Sequence, residues 1–314
     1  MDGCIDDKTR RLDEALARFE TDLQPFAHTD TVEDHVALSF LPLLRTAEEL
    51  EAGLNGAFPA LRERFSARLA SWAADSELVA ACAAGRRSAP SLARARVAGG
   101  AAAGAGVSRG IEATILGSGF VRGLRAGLGF AARRLVDLAA GGKECRILFL
   151  WAGDEVERFV KAWKSGTTKL SLTVVETGEA ATAPALRAAE SAGAAARAVA
   201  LRLPALLRGA SGLAPVAFDL VVVPALLPCL SDRGATRLLR ALRGLVAQGG
   251  TIVLGSLAAR SGARAFLRWT FADRLRLRGP AELAALAAGA GYGAEALEVA
   301  SEAMEVRLVA TLRP

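Results

Sequence analysis

The run Trp151-Ala152-Gly153-Asp154-Glu155 lies between an apolar stretch and a helix-like one, and Glu176 ends a second apolar stretch 176 − 150 = 26 residues after Leu150. Asp154 and Glu155 could meet a ligand ammonium, although acids in the first turn of a helix are also favoured by its dipole. Glu176 is either an acceptor for ligand hydroxyls or a polar strand terminus. His28 and His35 are the only histidines. They are the side chains able to transfer protons near neutral pH, but FAHTDT reads as a loop and His35 sits near a helix start, so both read as exposed or cap-associated residues.

Metal and disulfide chemistry find no pattern. Cys4, Cys82, Cys145 and Cys229 are 78, 63 and 84 residues apart, which fits neither a ligand set nor a disulfide framework. Arg86, Arg87, Arg94 and Arg96 could bind phosphate, yet no aromatic residue interleaves them as in nucleic-acid modules, so a solvated loop is expected. Trp163, Trp269 and Tyr292 can shape an acceptor pocket or anchor the core, and core is the expectation. Trp269 lies in FLRWTFADRLRLR, between the last parallel-strand run and a late helix-like stretch.

The elements that position these residues fall into two parts. The chain has 314 residues, 52% of them hydrophobic and 23% charged, a globular composition with a prior of about two domains. Its charge of +6 divides into −8 for residues 1 to 77 (8 basic, 16 acidic), +7 for residues 78 to 140 (9 and 2) and +7 for the remainder (22 and 15). Acidic and basic parts of the first domain can therefore attract each other. No apolar run reaches the ~20 residues of a membrane span, and the acidic N-terminus lacks the apolar core of a signal peptide, so a cytoplasmic location is expected.

Up to residue 140 the apolar residues recur at helical spacing. Ile5, Leu12, Leu16, Phe19 and Leu23 predict a first helix. Asp30 and Glu33 resemble a capping arrangement before a second helix through Val36, Leu38, Leu41 and Leu44, which Pro42 should kink or divide. Pro59 suits the first turn of a third, with Leu61, Phe65, Leu69 and Trp72 on one face. Residues 84 to 108 read as a disordered loop. From Ile111 to Leu138 the spacing predicts one long helix, in which Gly110, Gly117, Gly119, Gly123, Gly127 and Gly129 weaken the helix or permit close packing.

After Gly142 short β-branched runs alternate with helical stretches, the pattern of a parallel sheet covered on both faces. Strands are predicted at 146–151, 170–176, 197–203, 218–224 and 251–255, with Gly249 and Gly250 as a turn. EALEVA (295–300) and MEVRLVATL (304–312) are too close for a crossover helix and must pair antiparallel. The predicted fold is α/β: a Rossmann-like, mostly parallel sheet of about seven strands ending in an antiparallel hairpin (residues 141–314), preceded by an all-α domain (residues 1–140).

In this region the sequence resembles the class I S-adenosylmethionine-dependent methyltransferases, over about residues 144 to 314. FDLVVVPALLPCLSDRGATRLLRALRGLVAQGGTIVLGS is similar to that family's fourth strand through its fifth, and RLRLRGPAELAALAAGAGYGAEALEV to its late helix and sixth strand. The resemblance implies S-adenosylmethionine as cofactor and methyl transfer to a small-molecule or natural-product acceptor through an O, N or C nucleophile. No metal, nucleic acid or membrane is implied, and a homodimer is left open. The helical domain would be the lid or acceptor-binding surface. Cofactor contacts are implied at Trp151, Ala152, Gly153 and Asp154 in the first turn, Glu176 at the ribose, Leu203 after the third strand and Pro224 after the fourth.

Against the family's pattern, Phe149 stands where an acid is usual and Trp151 where the first glycine is usual. Arg202, Leu203 and Pro204 stand where an acid often meets the adenine amine. A tryptophan at 151 fills space that the family leaves for the methionine part. The alternative is therefore a methyltransferase-like binding or scaffold protein that has lost its cofactor. A nucleotide-dependent oxidoreductase fits less well, because the turn lacks glycines for a pyrophosphate.

Overall fold

The structure, a computed structural model, describes residues 2–26, 29, 31–51, 58–76, 78–79, 102, 105–117, 119–140, 144–151, 154–163, 168–176, 179–208, 213, 217–224, 226–258, 269, 276–301 and 307–313. Residues 1–122 with 262–275 form one compact unit, and residues 123–261 with 276–314 form another.

The first unit holds α1 (Asp2–Leu23), α2 (Val32–Glu51), α3 (Phe58–Trp72) and α4 (Gly106–Gly117). Leu12, Leu16, Phe19 and Leu23 of α1 are buried as their spacing predicts, but Ile5 is exposed. The stripe predicted for α2 is corrected: Leu38 is 72% and Leu41 45% exposed, and the buried face runs Val36, Phe40, Leu43, Ala47 and Leu50. Steps of 4, 3, 4 and 3 follow the 3.6-residue period, whereas the step of two from Val36 to Leu38 crosses to the opposite side. Nor does Pro42 divide α2. Proline removes the hydrogen bond to the carbonyl of Leu38, and with both residues exposed that carbonyl can be solvated instead.

Acid–base pairs join the helices of this unit: Arg109 to Glu33 at 2.8 Å, Arg64 to Asp13 at 2.5 Å and Arg68 to Glu20 at 3.0 Å. Asp30 and residues 84–101 and 103–104 of the expected loop lie outside the described residues. The loop is shorter than expected at its other end, because α4 begins at Gly106.

The long helix predicted from Ile111 is two helices, α4 and α5 (Gly119–Ala139). At Gly110 a Cβ would come within 2.9 Å of Val36 on α2, so this glycine allows a close helix approach. Gly117 has nothing within 4 Å.

The second unit is built on an eight-stranded sheet: β1 (Glu144–Leu150), β2 (Lys169–Glu176), β3 (Ala195–Ala200), β4 (Phe218–Val223), β5 (Val246–Ala258), β6 (Leu277–Arg278), β7 (Leu297–Ser301) and β8 (Arg307–Leu312). The order is β3-β2-β1-β4-β5-β8-β7, with the two-residue β6 beside β5. β1 to β5 pair parallel, and β8 pairs antiparallel with both β5 and β7, the expected closing hairpin. The helices between are α6 (Asp154–Trp163), α7 (Glu179–Ser191), α8 (Leu203–Leu207), α9 (Asp232–Arg243) and α10 (Pro280–Gly289).

Side-chain alternation assigns the two sheet faces. Leu148 and Leu150 of β1, with Val221 and Val223 of β4, join the cluster containing Leu206, Leu238 and Leu286 of α8, α9 and α10. Ile147 and Phe149, with Leu220 and Val222, join the cluster containing Leu135, Phe159 and Ala185 of α5, α6 and α7. Burial on both faces explains why these strands read as continuous apolar runs.

Of the strand boundaries that differ from expectation, two have a local cause. β3 ends at Ala200, because Pro204 in the first turn of α8 favours helix over further extension. β5 begins at Val246: Phe218 pairs with Val246 and Leu220 with Thr251, so extra residues bulge where Gly249 takes φ +76°. Gly249 and Gly250 thus lie inside an irregular strand and not in a turn before it.

Candidate functional site

The strand order reverses between β1 and β4, and ligands of open α/β sheets bind beyond the carboxyl ends of the strands at such a point. Leu150 pairs with Val175 and Glu176 with Ala200. One residue beyond each pair, the Trp151 amide donates to the Val175 carbonyl at 2.9 Å and the Leu201 amide to the Glu176 carbonyl at 3.0 Å. On the other side Phe149 pairs with Val222, so Pro224, buried after β4, belongs to the same edge. Trp151, Glu176, Leu203 and Pro224 therefore stand at the carboxyl ends of four adjacent strands. Asp154 begins α6, and Ala152 and Gly153 lie outside the described residues.

Trp151 leaves β1 with φ +51°, the only described non-glycine residue with positive φ. Glycine enters that region without penalty, whereas a bulky side chain there is strained by about 1–3 kcal/mol. At this one position the backbone takes a glycine-like conformation although the residue is tryptophan. The indole is half-buried and packs against the cluster that includes Leu150, Val175, Leu201, Val223 and Leu227. Leu203 packs against the same cluster.

Glu176 is 8% exposed, and a carboxylate so enclosed needs hydrogen-bonding partners. The segment after β4 is fixed by donors from β6 and the residue before it. Leu227–Cys229 forms a 3₁₀ turn, and Ser231 caps α9 by accepting from the Gly234 amide at 3.2 Å. Arg278 of β6 donates to the Leu227 carbonyl at 2.7 Å and the Leu230 carbonyl at 2.6 Å, and the Arg276 amide donates to the Pro228 carbonyl at 2.7 Å. Reading residue types missed Arg278. Its signal was an arginine inside the strand-like run before Gly279-Pro280.

Each of the other described candidates is packed within its own unit. Trp269 is fully buried in the first unit, edge-on to Phe58 and Phe65 with ring centroids 5.2 and 5.6 Å away. Tyr292 is buried and donates to the Leu239 carbonyl at 3.1 Å, and Trp163 packs against the opposite sheet face. His35 stacks on Phe26 with ring centroids 3.4 Å apart. His28, Arg86, Arg87, Arg94 and Arg96 lie outside the described residues. Cys145 is buried and its thiol is pushed up to about 11, chiefly by burial. Cys229 is exposed. Among the described residues no cluster of His, Cys, Asp or Glu is placed to hold a metal, and no helix is long and apolar enough to cross a membrane.

No protein-family profile matches the sequence, and no curated protein is similar to it. Solved structures are. The CurJ carbon methyltransferase is 12% identical with TM-score 0.52, over 99% of this chain and 90% of its own. The chain has the fold of the class I S-adenosylmethionine-dependent methyltransferases. A possible exported protein from Bordetella parapertussis is similar at 15% identity and TM-score 0.53, over 99% of this chain and 96% of its own. A putative O-methyltransferase from Nostoc punctiforme is 13% identical with TM-score 0.48; the match spans 62% of this chain and 60% of that protein's length.

Against this fold the donor set fits the adenosine half of S-adenosylmethionine. Glu176 is a buried carboxylate of the kind that could accept ribose hydroxyls, and Leu201 and Leu203 are apolar side chains of the kind a purine packs against. At the methionine half, the fully buried Phe149 replaces an acid and the Trp151 indole replaces bare backbone.

Proposed function

We propose that the protein is an S-adenosylmethionine-dependent methyltransferase acting on a small-molecule or natural-product acceptor. The observation that carries this is the backbone of the first turn. A tryptophan is held at φ +51° beside a buried strand-terminal Glu176, at the point where the strand order reverses. Strain of this kind persists only where the surroundings over-determine it, which supports a functional role for this position.

Bound there, the cofactor supplies an electrophilic methyl group. This chain's part is to orient it and keep water away. Glu176 would take the ribose, Leu203 would flank the adenine and Pro224 would border the acceptor side, with Trp151, Ala152, Gly153 and Asp154 around the methionine part. Transfer to an O, N or C nucleophile asks mainly for in-line placement in a dry site, so few dedicated catalytic groups are needed.

Calorimetric titration with S-adenosylmethionine and S-adenosylhomocysteine tests the proposal. Saturable binding is expected, and Glu176→Ala should weaken it by about 1 to 3 kcal/mol through the lost charge-assisted hydrogen bond. Failure of both ligands to bind would remove the reading. It would leave the second one, a cofactor-free binding protein of the same fold, which the buried Phe149 and the packed indole of Trp151 favour.

A further inference from the structure

We infer that the indole of Trp151 acts as the recognition surface for the positively charged sulfonium, making this site discriminate the cationic cofactor from its neutral, demethylated product. The inference rests on the methyltransferase reading. It assigns Trp151 a specificity role within that site.

Three observations lead to it. Phe149, fully buried in β1, leaves the strand with no carboxylate of its own at the first turn. Trp151 is the next side chain but one, and it stands where the chain leaves the sheet between Val175 and Val223. Trp151 is half-buried at the carboxyl end of β1 and packs against the cluster that includes Leu150, Val175 and Leu227.

A strained tryptophan is also a poor choice if its function is only to fill space. At positive φ an alanine costs no more backbone strain than an indole, and a glycine costs none. What tryptophan adds is a broad aromatic face with negative potential, the strongest cation–π surface among the side chains. A sulfonium is a desolvated cation carrying methyl and methylene groups, and it suits such a face in the way quaternary ammonium groups do. The indole then provides locally what an acid could provide at a distance. It does so without adding a second buried carboxylate close to Glu176, where like charges would raise each other's cost of ionisation.

The test compares dissociation constants of S-adenosylmethionine and S-adenosylhomocysteine by calorimetry for the full chain, Trp151→Leu, and protein carrying tetrafluorotryptophan at position 151. Leucine retains apolar bulk and tolerates positive φ no better than tryptophan, so it isolates the ring. The fluorinated indole keeps shape and packing but empties the π face, and so reads the same effect if the leucine variant does not fold. For both, affinity for S-adenosylmethionine should fall by about five- to thirtyfold relative to that for S-adenosylhomocysteine, with the latter little changed. An unchanged ratio with both ligands still binding overturns the role of the indole and leaves the methyltransferase reading intact. Absence of binding by the unmodified protein removes both.

Discussion

Arg278, only 2% exposed, donates to the carboxylate of the well-exposed Asp232 at 2.9 Å, and the same guanidinium spans the carbonyls of Leu227 and Leu230. A buried cation of this kind is tolerated because its nitrogens are matched by acceptors. It clamps the segment after β4 to β6. Arg278→Ala should destabilise the second unit by about 2–3 kcal/mol, since two carbonyls lose a charged donor. Arg278→Lys should recover less than half of that loss, because an ammonium cannot span both carbonyls and the carboxylate. Urea denaturation of the three proteins measures the difference, and a loss under about 0.5 kcal/mol for the alanine variant would mean that the clamp is not used.

A second ion pair ties strands β1 and β4 at their other end. Burial of Asp219 opposes its ionisation, but hydrogen bonds from the Arg146 guanidinium at 3.3 Å and the Arg146 amide at 2.8 Å outweigh it and hold the carboxyl below its usual value of 3.8. A depressed carboxyl contributes stability above the unfolded pKa and loses it as pH falls through the folded one. Both side chains are about two-fifths exposed, so solvent screening limits the contribution to about 1 kcal/mol. Asp219→Asn should therefore cost about that much at neutral pH, and the gap to the unsubstituted protein should close as the pH is lowered below 3.8. Denaturation series at several pH values would show the convergence; a gap that widens toward acid would contradict the assignment.

How much was legible in the sequence follows the same physics. Strands β1, β2, β4 and β5 could be read because burial on both faces leaves apolar runs that punctuation alone delimits, and the closing hairpin because its two runs are too close for a crossover helix; β3 is a largely exposed edge strand. Glu176 could be placed because it ends such a run. The α2 stripe was misread because Leu38 and Leu41 are apolar yet face solvent, although the spacing of Val36, Phe40, Leu43, Ala47 and Leu50 marks the buried side. The conformation of Trp151 was not legible at all. Nothing in the sequence says that a tryptophan occupies the left-handed region at the end of β1.

Glycines in the helical unit give a paired prediction. A Cβ on Gly110 would lie 2.9 Å from both Cβ and Cγ2 of Val36 and 3.2 Å from the Glu33 backbone, so α4 and α2 would have to separate. Gly110→Ala should cost about 1–3 kcal/mol as an overpacked contact. Gly117 meets nothing within 4 Å and has no positive φ, so Gly117→Ala should be neutral or stabilise by up to about 1 kcal/mol through helix propensity. Thermal or chemical unfolding of the two variants compares them directly, and equal effects would show that α2 and α4 do not approach as closely as Val36 and Gly110 imply.

Tyr292 is the only tyrosine of the chain, which makes its ionisation visible without ambiguity. Its hydroxyl donates to the Leu239 carbonyl at 3.1 Å, and burial pushes its pKa up to about 12, partly offset by the Arg243 guanidinium lying 5.7 Å from the ring centroid. The phenolate absorbance of the native protein should therefore rise near pH 12 instead of the usual 10.0. A group that ionises more readily when unfolded withdraws stability as pH rises, so the contribution is complete below pH 10.0 and declines between there and about 12. The decline can reach about 1.4 kcal/mol per pH unit. Tyr292→Phe should lose about 1 kcal/mol at neutral pH with the hydrogen bond to Leu239, and should lack this alkaline decline. A native absorbance step at pH 10.0 would place the phenol in water and refute the buried hydrogen bond.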